Sequence, residues 1–126
     1  MIANVKNKTM NKEFVPYEEA LELKELGFDE GVYANYDIPI ALRNNGARGK
    51  EYIRLLLGAV GPNSIKAPLY QQSFRWFREN YKLYHAIEFK HSKHYGYIQN
   101  SDFTIWCDTY EEAELACLKK LIEIIK

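Results

Sequence analysis

The side chains best suited to chemistry crowd into one stretch of this 126-residue chain: His85, His91 and His94 fall within ten residues, with Cys107 a little further on. A zinc ion would need four N, S or O ligands in tetrahedral array, or three and a water. His91 and His94 sit in a short polar turn, however, beside Lys90 and Lys93, whose charge opposes a cation. Exposed turn histidines describe them better. A Cys–His nucleophile is no better supported. Cys117 lies on an apolar helical stripe, where cysteine acts as a small hydrophobe, and Cys107 closes a strand with no Asn or Asp assignable as its orienting partner. Asp102 and Asp108 bracket the same strand as turn and helix-start residues. Gly46-Ala47-Arg48-Gly49-Lys50-Glu51 lacks the spacing of a phosphate-binding loop and puts Glu51 where a hydroxyl is needed. It leaves Arg48 and Lys50, with Arg43, as a basic loop. The expectation is no catalytic residue, no cofactor and no metal; a small hydrolase or metal enzyme is the weakest reading.

Binding chemistry is better represented. Projected on a helix, Gln71, Arg75, Arg78 and Lys82 share one side, opposite Tyr70, Phe74, Phe77 and Tyr81, with Trp76 between the two faces and part buried. Lys90, Lys93, Tyr95 and Tyr97 follow on an adjacent hairpin. Cations with aromatic planes suit single-stranded RNA or DNA, because phosphates need positive charge and unstacked bases need flat apolar partners. Arg, Trp and Tyr also dominate protein interfaces, so an acidic protein partner fits as well. An ordinary solvated helix face is the bland alternative.

The elements that must position these residues are legible in the pattern. Residues 109–126 read as an amphipathic helix, with Thr109 and Glu112 as a capping box. Ala113, Ala116, Cys117, Leu121 and Ile124 form its apolar stripe, widened by Leu118 and Ile125. A first helix has Pro16 at its first position, Ala20, Leu23 and Leu26 buried, and Leu21 at the flank. Gly27 stops it, with Phe28 folding back on Leu23. Residues 69–81 predict another helix. Residues 31–40 predict a short strand ended by Pro39, and residues 51–60 a short helix or a buried strand. Residues 83–107 predict an antiparallel meander with Leu83, Ile87 and Phe89 on one face, a turn at 91–94, and Phe103, Ile105 and Cys107 facing inward. The result is an α+β domain over 13–126, in the rough order α-β-(α)-α-β-β-β-α. A small antiparallel sheet of three to four strands packs against about three helices, behind a flexible segment over 1–12.

Composition sets the outer bounds. Apolar residues make up 47% and aromatic residues 14%, enough for a packed core without metal or disulfide. Apolar runs such as 55–60 are too short to cross a bilayer, and the first fourteen residues carry no signal-peptide core. With two cysteines that form no disulfide framework, the expected compartment is the cytoplasm. The net charge is zero, but residues 13–37 hold eight acidic residues against one Lys, while residues 43–93 hold ten Lys and Arg against three Glu. Such polarity can steer a partner, or the two regions can face each other in the fold.

Three blocks carry a resemblance: EFVPYEEALELKELGFDE (13–30), APLYQQSFRWFRENYKL (67–83) and DTYEEAELACLKKLIEIIK (108–126). Together, and in that order, they resemble a family of short proteins carried by phages, prophages and other mobile elements of bacteria. The resemblance implies an inhibitor of host defence of the anti-CRISPR type, which binds an RNA-guided nuclease or its guide RNA. It brings no catalytic residues. The expected partner is a host protein or ribonucleoprotein, with a stand-alone single-stranded nucleic-acid module as the alternative. Arg75, Trp76, Arg78, Lys82, Lys90, Lys93 and Tyr95, with Arg48 and Lys50, are the expected contact residues.

Overall fold

The computed structural model describes residues 3–4, 12–37, 53–58 and 64–126. The chain forms two compact units, residues 1–69 and 70–126. The class is α+β, as expected, with the strands shared between two antiparallel sheets. The loose segment expected over 1–12 lies outside the described residues apart from Lys12 and the Ala3–Asn4 backbone, as do Pro39 and the basic loop with Arg48 and Lys50.

In the N-terminal unit, β1 (Ala3–Asn4), α1 (Tyr17–Glu25), β2 (Ala34–Asp37), β3 (Arg54–Leu57) and β4 (Ile65–Ala67) follow in order. The sheet runs β1-β3-β2-β4. The ambiguous run 51–60 thus yields a strand. Leu55 and Leu56 point to opposite faces and both are buried, as in a strand covered on two sides, which explains why periodicity alone could not decide it. The core gathers Phe14, Ala34, Leu55 and Ala67, with Tyr36, Leu57 and Leu69 against it.

α1 ends as its sequence requires. Gly27 takes φ +103°, the Phe28 amide donates to the Leu23 carbonyl (3.0 Å), and the Gly27 amide donates to the Lys24 carbonyl (3.1 Å). That pair of bonds is a Schellman ending, with Leu23 and Phe28 both buried. At the other end Pro16 is the cap, one residue before the first helical position expected for it. Part of the charge polarity closes on itself here. Arg54 meets Asp37, directly opposite across β2 and β3, at 3.0 Å, and Lys66 meets Asp29 at 3.1 Å.

The C-terminal unit contains α2 (Tyr70–Tyr81), β5 (His85–Lys90), β6 (Lys93–Ile98), β7 (Thr104–Cys107) and α3 (Tyr110–Ile125), with β6 central in the second sheet. The α3 cap forms: the Thr109 hydroxyl accepts from the Glu112 amide (3.1 Å) and donates to the Glu112 carboxylate (2.9 Å). Ala113, Cys117, Leu118, Leu121 and Ile122 are buried. Ile124, expected on that stripe, is exposed instead, because the buried face drifts to Ile122 in the last turn. On α2, Tyr70, Phe74 and Phe77 are buried as expected, but Tyr81 is exposed at the helix end. Phe89 is also exposed, one residue from the end of β5.

Candidate interaction surface

The register of the second sheet decides which side chains share a face. His85 stands opposite Ile98, Ile87 opposite Gly96 and Glu88 opposite Tyr95 on β5–β6, while Tyr95 stands opposite Trp106 and Gly96 opposite Ile105 on β6–β7. Side chains alternate along a strand. Gly96, Ile98, His85 and Ile105 therefore lie on the helix side, and Tyr95, Tyr97, Trp106, Glu88 and Lys90 lie on the other.

The helix side is tightly closed. A Cβ built on Gly96 would stand 2.9 Å from the Cys117 Sγ and 3.4 Å from the Ile105 Cγ2, so glycine lets α3 lie down on β6. α2 reaches the same side through Phe74, whose ring stacks on His85 at 3.5 Å. Burial, with the Arg78 charge second, lowers the His85 pKa from 6.5 to about 4. Its Nδ1 is enclosed without a hydrogen-bond partner.

The open side is aromatic. Tyr95 and Trp106 are cross-strand neighbours with ring centroids 4.7 Å apart and planes tilted by 40°. Tyr97 continues the row 5.5 Å from Tyr95, at 35° to it, and His91 approaches Trp106 at 6.1 Å. Half of the Trp106 surface (50%) remains accessible. An exposed cluster of large rings on one face is a common mark of a protein contact surface.

Its cations are already engaged. Lys90 lies 3.6 Å from Glu88 and 5.7 Å from the centre of the Tyr95 ring. Lys93 is hydrogen-bonded to Asp108; each group favours the other's charged form, so the lysine pKa rises and the carboxyl pKa falls. The nearby Glu88 charge raises the Tyr97 pKa and keeps its hydroxyl protonated.

The expected contact residues therefore separate. Lys90, Lys93 and Tyr95 meet on the open side. Arg75 and Arg78 belong to α2, and Lys82 directly follows its last residue; α2 approaches the sheet from the opposite side, so helix and hairpin do not make one continuous patch. Trp76 must be withdrawn as a contact plane. It is 7% exposed, edge-on to Phe77 (5.1 Å) and Tyr81 (5.4 Å), because it lies on the buried arc of α2 rather than between the faces. Trp106 was overlooked, yet the same alternation that turns Ile105 and Cys107 inward turns it outward beside Tyr95.

The residues first considered for chemistry are otherwise occupied. His85 stacks on Phe74, and His94 lies between Phe89 (5.1 Å) and Tyr110 (6.0 Å). Cys117 is fully buried, and burial, ahead of the Cys107 and Glu114 charges, pushes its thiol pKa up to about 11. Among the described residues no group of three or more His, Cys, Asp or Glu could hold a metal ion, and no helix is long and apolar enough to cross a membrane. Compared with known proteins, the chain matches no family model, no curated protein and no solved structure.

Proposed function

We propose that this chain is a non-enzymatic binding protein whose working surface is the open face of the C-terminal sheet, centred on Tyr95 and Trp106. The observation that carries the reading is the pairing of those two rings at 4.7 Å on a face where half of Trp106 stays accessible. Such rings offer large apolar area at little conformational cost, which is why a few of them dominate binding energies. With the resemblance to mobile-element proteins, the role proposed for that surface is inhibition of a host RNA-guided nuclease by direct contact.

The test is target cleavage by candidate nucleases, titrated with the wild-type chain, with W106A and with the charge-reversed helix variant R75E/R78E. The reading expects inhibition that weakens at least about tenfold in W106A and little in R75E/R78E, since central aromatic truncations cost at least about 1.4 kcal/mol. Inhibition lost in R75E/R78E and kept in W106A would return the site to α2. Inhibition of no candidate would remove the proposed role.

A further inference from the structure

We propose that the outer edge of β5 pairs with the same edge of a second copy of this chain, antiparallel and centred on Phe89. This pairing is independent of what the open face binds.

The backbone supplies the first argument. β5 is an end strand, and among the described residues it pairs with β6 alone. His91 and Ser92, both at positive φ, form a two-residue turn, which makes Lys90 and Lys93 a hydrogen-bonded pair. Such pairs recur at every second residue. The Gln99 amide, donating to the Tyr84 carbonyl at 2.9 Å, keeps the same phase beyond the other end of the strand. Lys90, Glu88 and Ala86 therefore direct their backbone groups to β6, while Phe89 and Ile87 turn theirs outward. Phe89 is the outward residue in the open half of the strand. Glu88, Phe89 and Lys90 are all exposed, Phe89 by 68%, whereas His85, Ala86 and Ile87 are part buried. Outward N–H and C=O groups beside an exposed ring are a template for another strand.

The order of residue types selects a second copy as the occupant. About a two-fold axis with Phe89 facing the partner's Phe89, Glu88 stands opposite the partner's Lys90 and Lys90 opposite the partner's Glu88. The run acidic, aromatic, basic is thus complementary to itself about its middle residue. That middle residue is also the one whose backbone faces outward. Opposite charges directly across a ladder stabilise it and like charges destabilise it. Moving the axis to Glu88 sets Glu88 against the partner's Glu88, and moving it to Ile87 puts Glu88 opposite the partner's Ala86 and loses both charge pairs. Within each strand Lys90 already lies 3.6 Å from Glu88, so the four charges alternate in sign around the axis. The two Phe89 rings meet on the face that carries His94, where each now stands 5.1 Å from that ring in its own chain. Ile87 then faces the partner's His91, whose φ of 54° ends the ladder, so the dimer is small and weak.

The experiment is sedimentation equilibrium of the full chain from about 5 µM to about 1 mM, at low and high salt. The wild type, E88K, K90E, the exchanged E88K/K90E and F89P are compared. The expected result is a monomer–dimer equilibrium that weakens with salt. It should weaken about tenfold in E88K and in K90E, where two favourable cross-strand pairs become two unfavourable ones, and recover in E88K/K90E. F89P removes an N–H that β6 does not use, so it should abolish the dimer. Urea midpoints identify any variant whose fold is damaged, and the charge variants, at exposed positions, carry the test if F89P is one of them. A monomer at every concentration would overturn the proposal. So would a dimer indifferent to both single reversals, or one that the exchange fails to restore in a folded chain. Nuclease inhibition plays no part in this readout, so a dimer without inhibition would keep this edge and discard only the proposed role.

Discussion

Gly96 on β6 and Cys117 on α3 are packed so closely that a methyl group on the glycine would stand 2.9 Å from the thiol sulfur. The contact fixes how deeply α3 settles on the sheet, and through the strand alternation it fixes which rings are left on the open side. G96A should therefore destabilise the fold by about 1–3 kcal/mol, the usual cost of overpacking. C117A should cost less in the G96A background than alone, since the new methyl fills the space vacated by sulfur. Urea denaturation of the four-member cycle measures the coupling, and strictly additive losses would refute the contact's role.

The β5–β6 hairpin turns on His91 and Ser92, both at positive φ (54° and 62°). A two-residue hairpin turn whose central residues both lie at positive φ favours Asn-Gly, so the native pair is strained at both positions. H91N/S92G should stabilise the chain by about 1 kcal/mol, seen as a higher urea midpoint with an unchanged slope. It also removes the His91 ring beside Trp106. A loss of stability would show that this ring contact outweighs the backbone gain.

Much of this architecture could be read from residue order, and the failures share a cause. Gly27 with Phe28, and Thr109 with Glu112, are local devices whose partners lie within a turn or so; the first forms as the sequence implies, and in the second the Thr109 hydroxyl caps the Glu112 amide as expected while the Glu112 carboxylate accepts from that hydroxyl. The alternation of Ile105 and Cys107 likewise placed β7 correctly. Tyr81, Phe89 and Ile124 are expected inside and found exposed because their burial depends on where helices and strands end, which no periodicity states, whereas Trp76, expected between the faces, lies on the buried arc of α2. The same limit joined Arg75 and Arg78 to Lys90 and Tyr95. Each patch was visible in the sequence, but only the register, with Phe74 stacked on His85, assigns them to opposite sides of a sheet.

His85 should make the fold acid-sensitive in a defined window. Its pKa falls from 6.5 in the unfolded chain to about 4 in the folded one, through burial first and the Arg78 charge second. Between those values the unfolded chain binds more protons, so stability is full above 6.5, declines as pH falls toward 4 and levels off below. Allowing for its partial exposure, the loss should be about 2 kcal/mol. H85F, which keeps a ring against Phe74, should flatten the urea midpoint between about pH 7 and pH 4.5. An unchanged slope in H85F would show that His85 does not carry the acid sensitivity in this window, above the range in which Asp108 with its lowered pKa contributes.

The two cysteines should respond very differently to a thiol reagent. Cys117 is fully buried between α3 and β6, with its pKa pushed up to about 11, so it is neither accessible nor ionised near neutral pH. Cys107 is partly exposed at the end of β7; partial burial and the Glu112 and Asp108 charges raise its pKa and slow it without shielding it. The native chain should therefore release one equivalent of chromophore slowly, and the denatured chain two, by aromatic-disulfide titration at about pH 8. C107S should abolish the native signal. Rapid labelling of Cys117 in C107S would mean that α3 lifts from the sheet on the timescale of the reaction, and that the Gly96 contact does not hold it down.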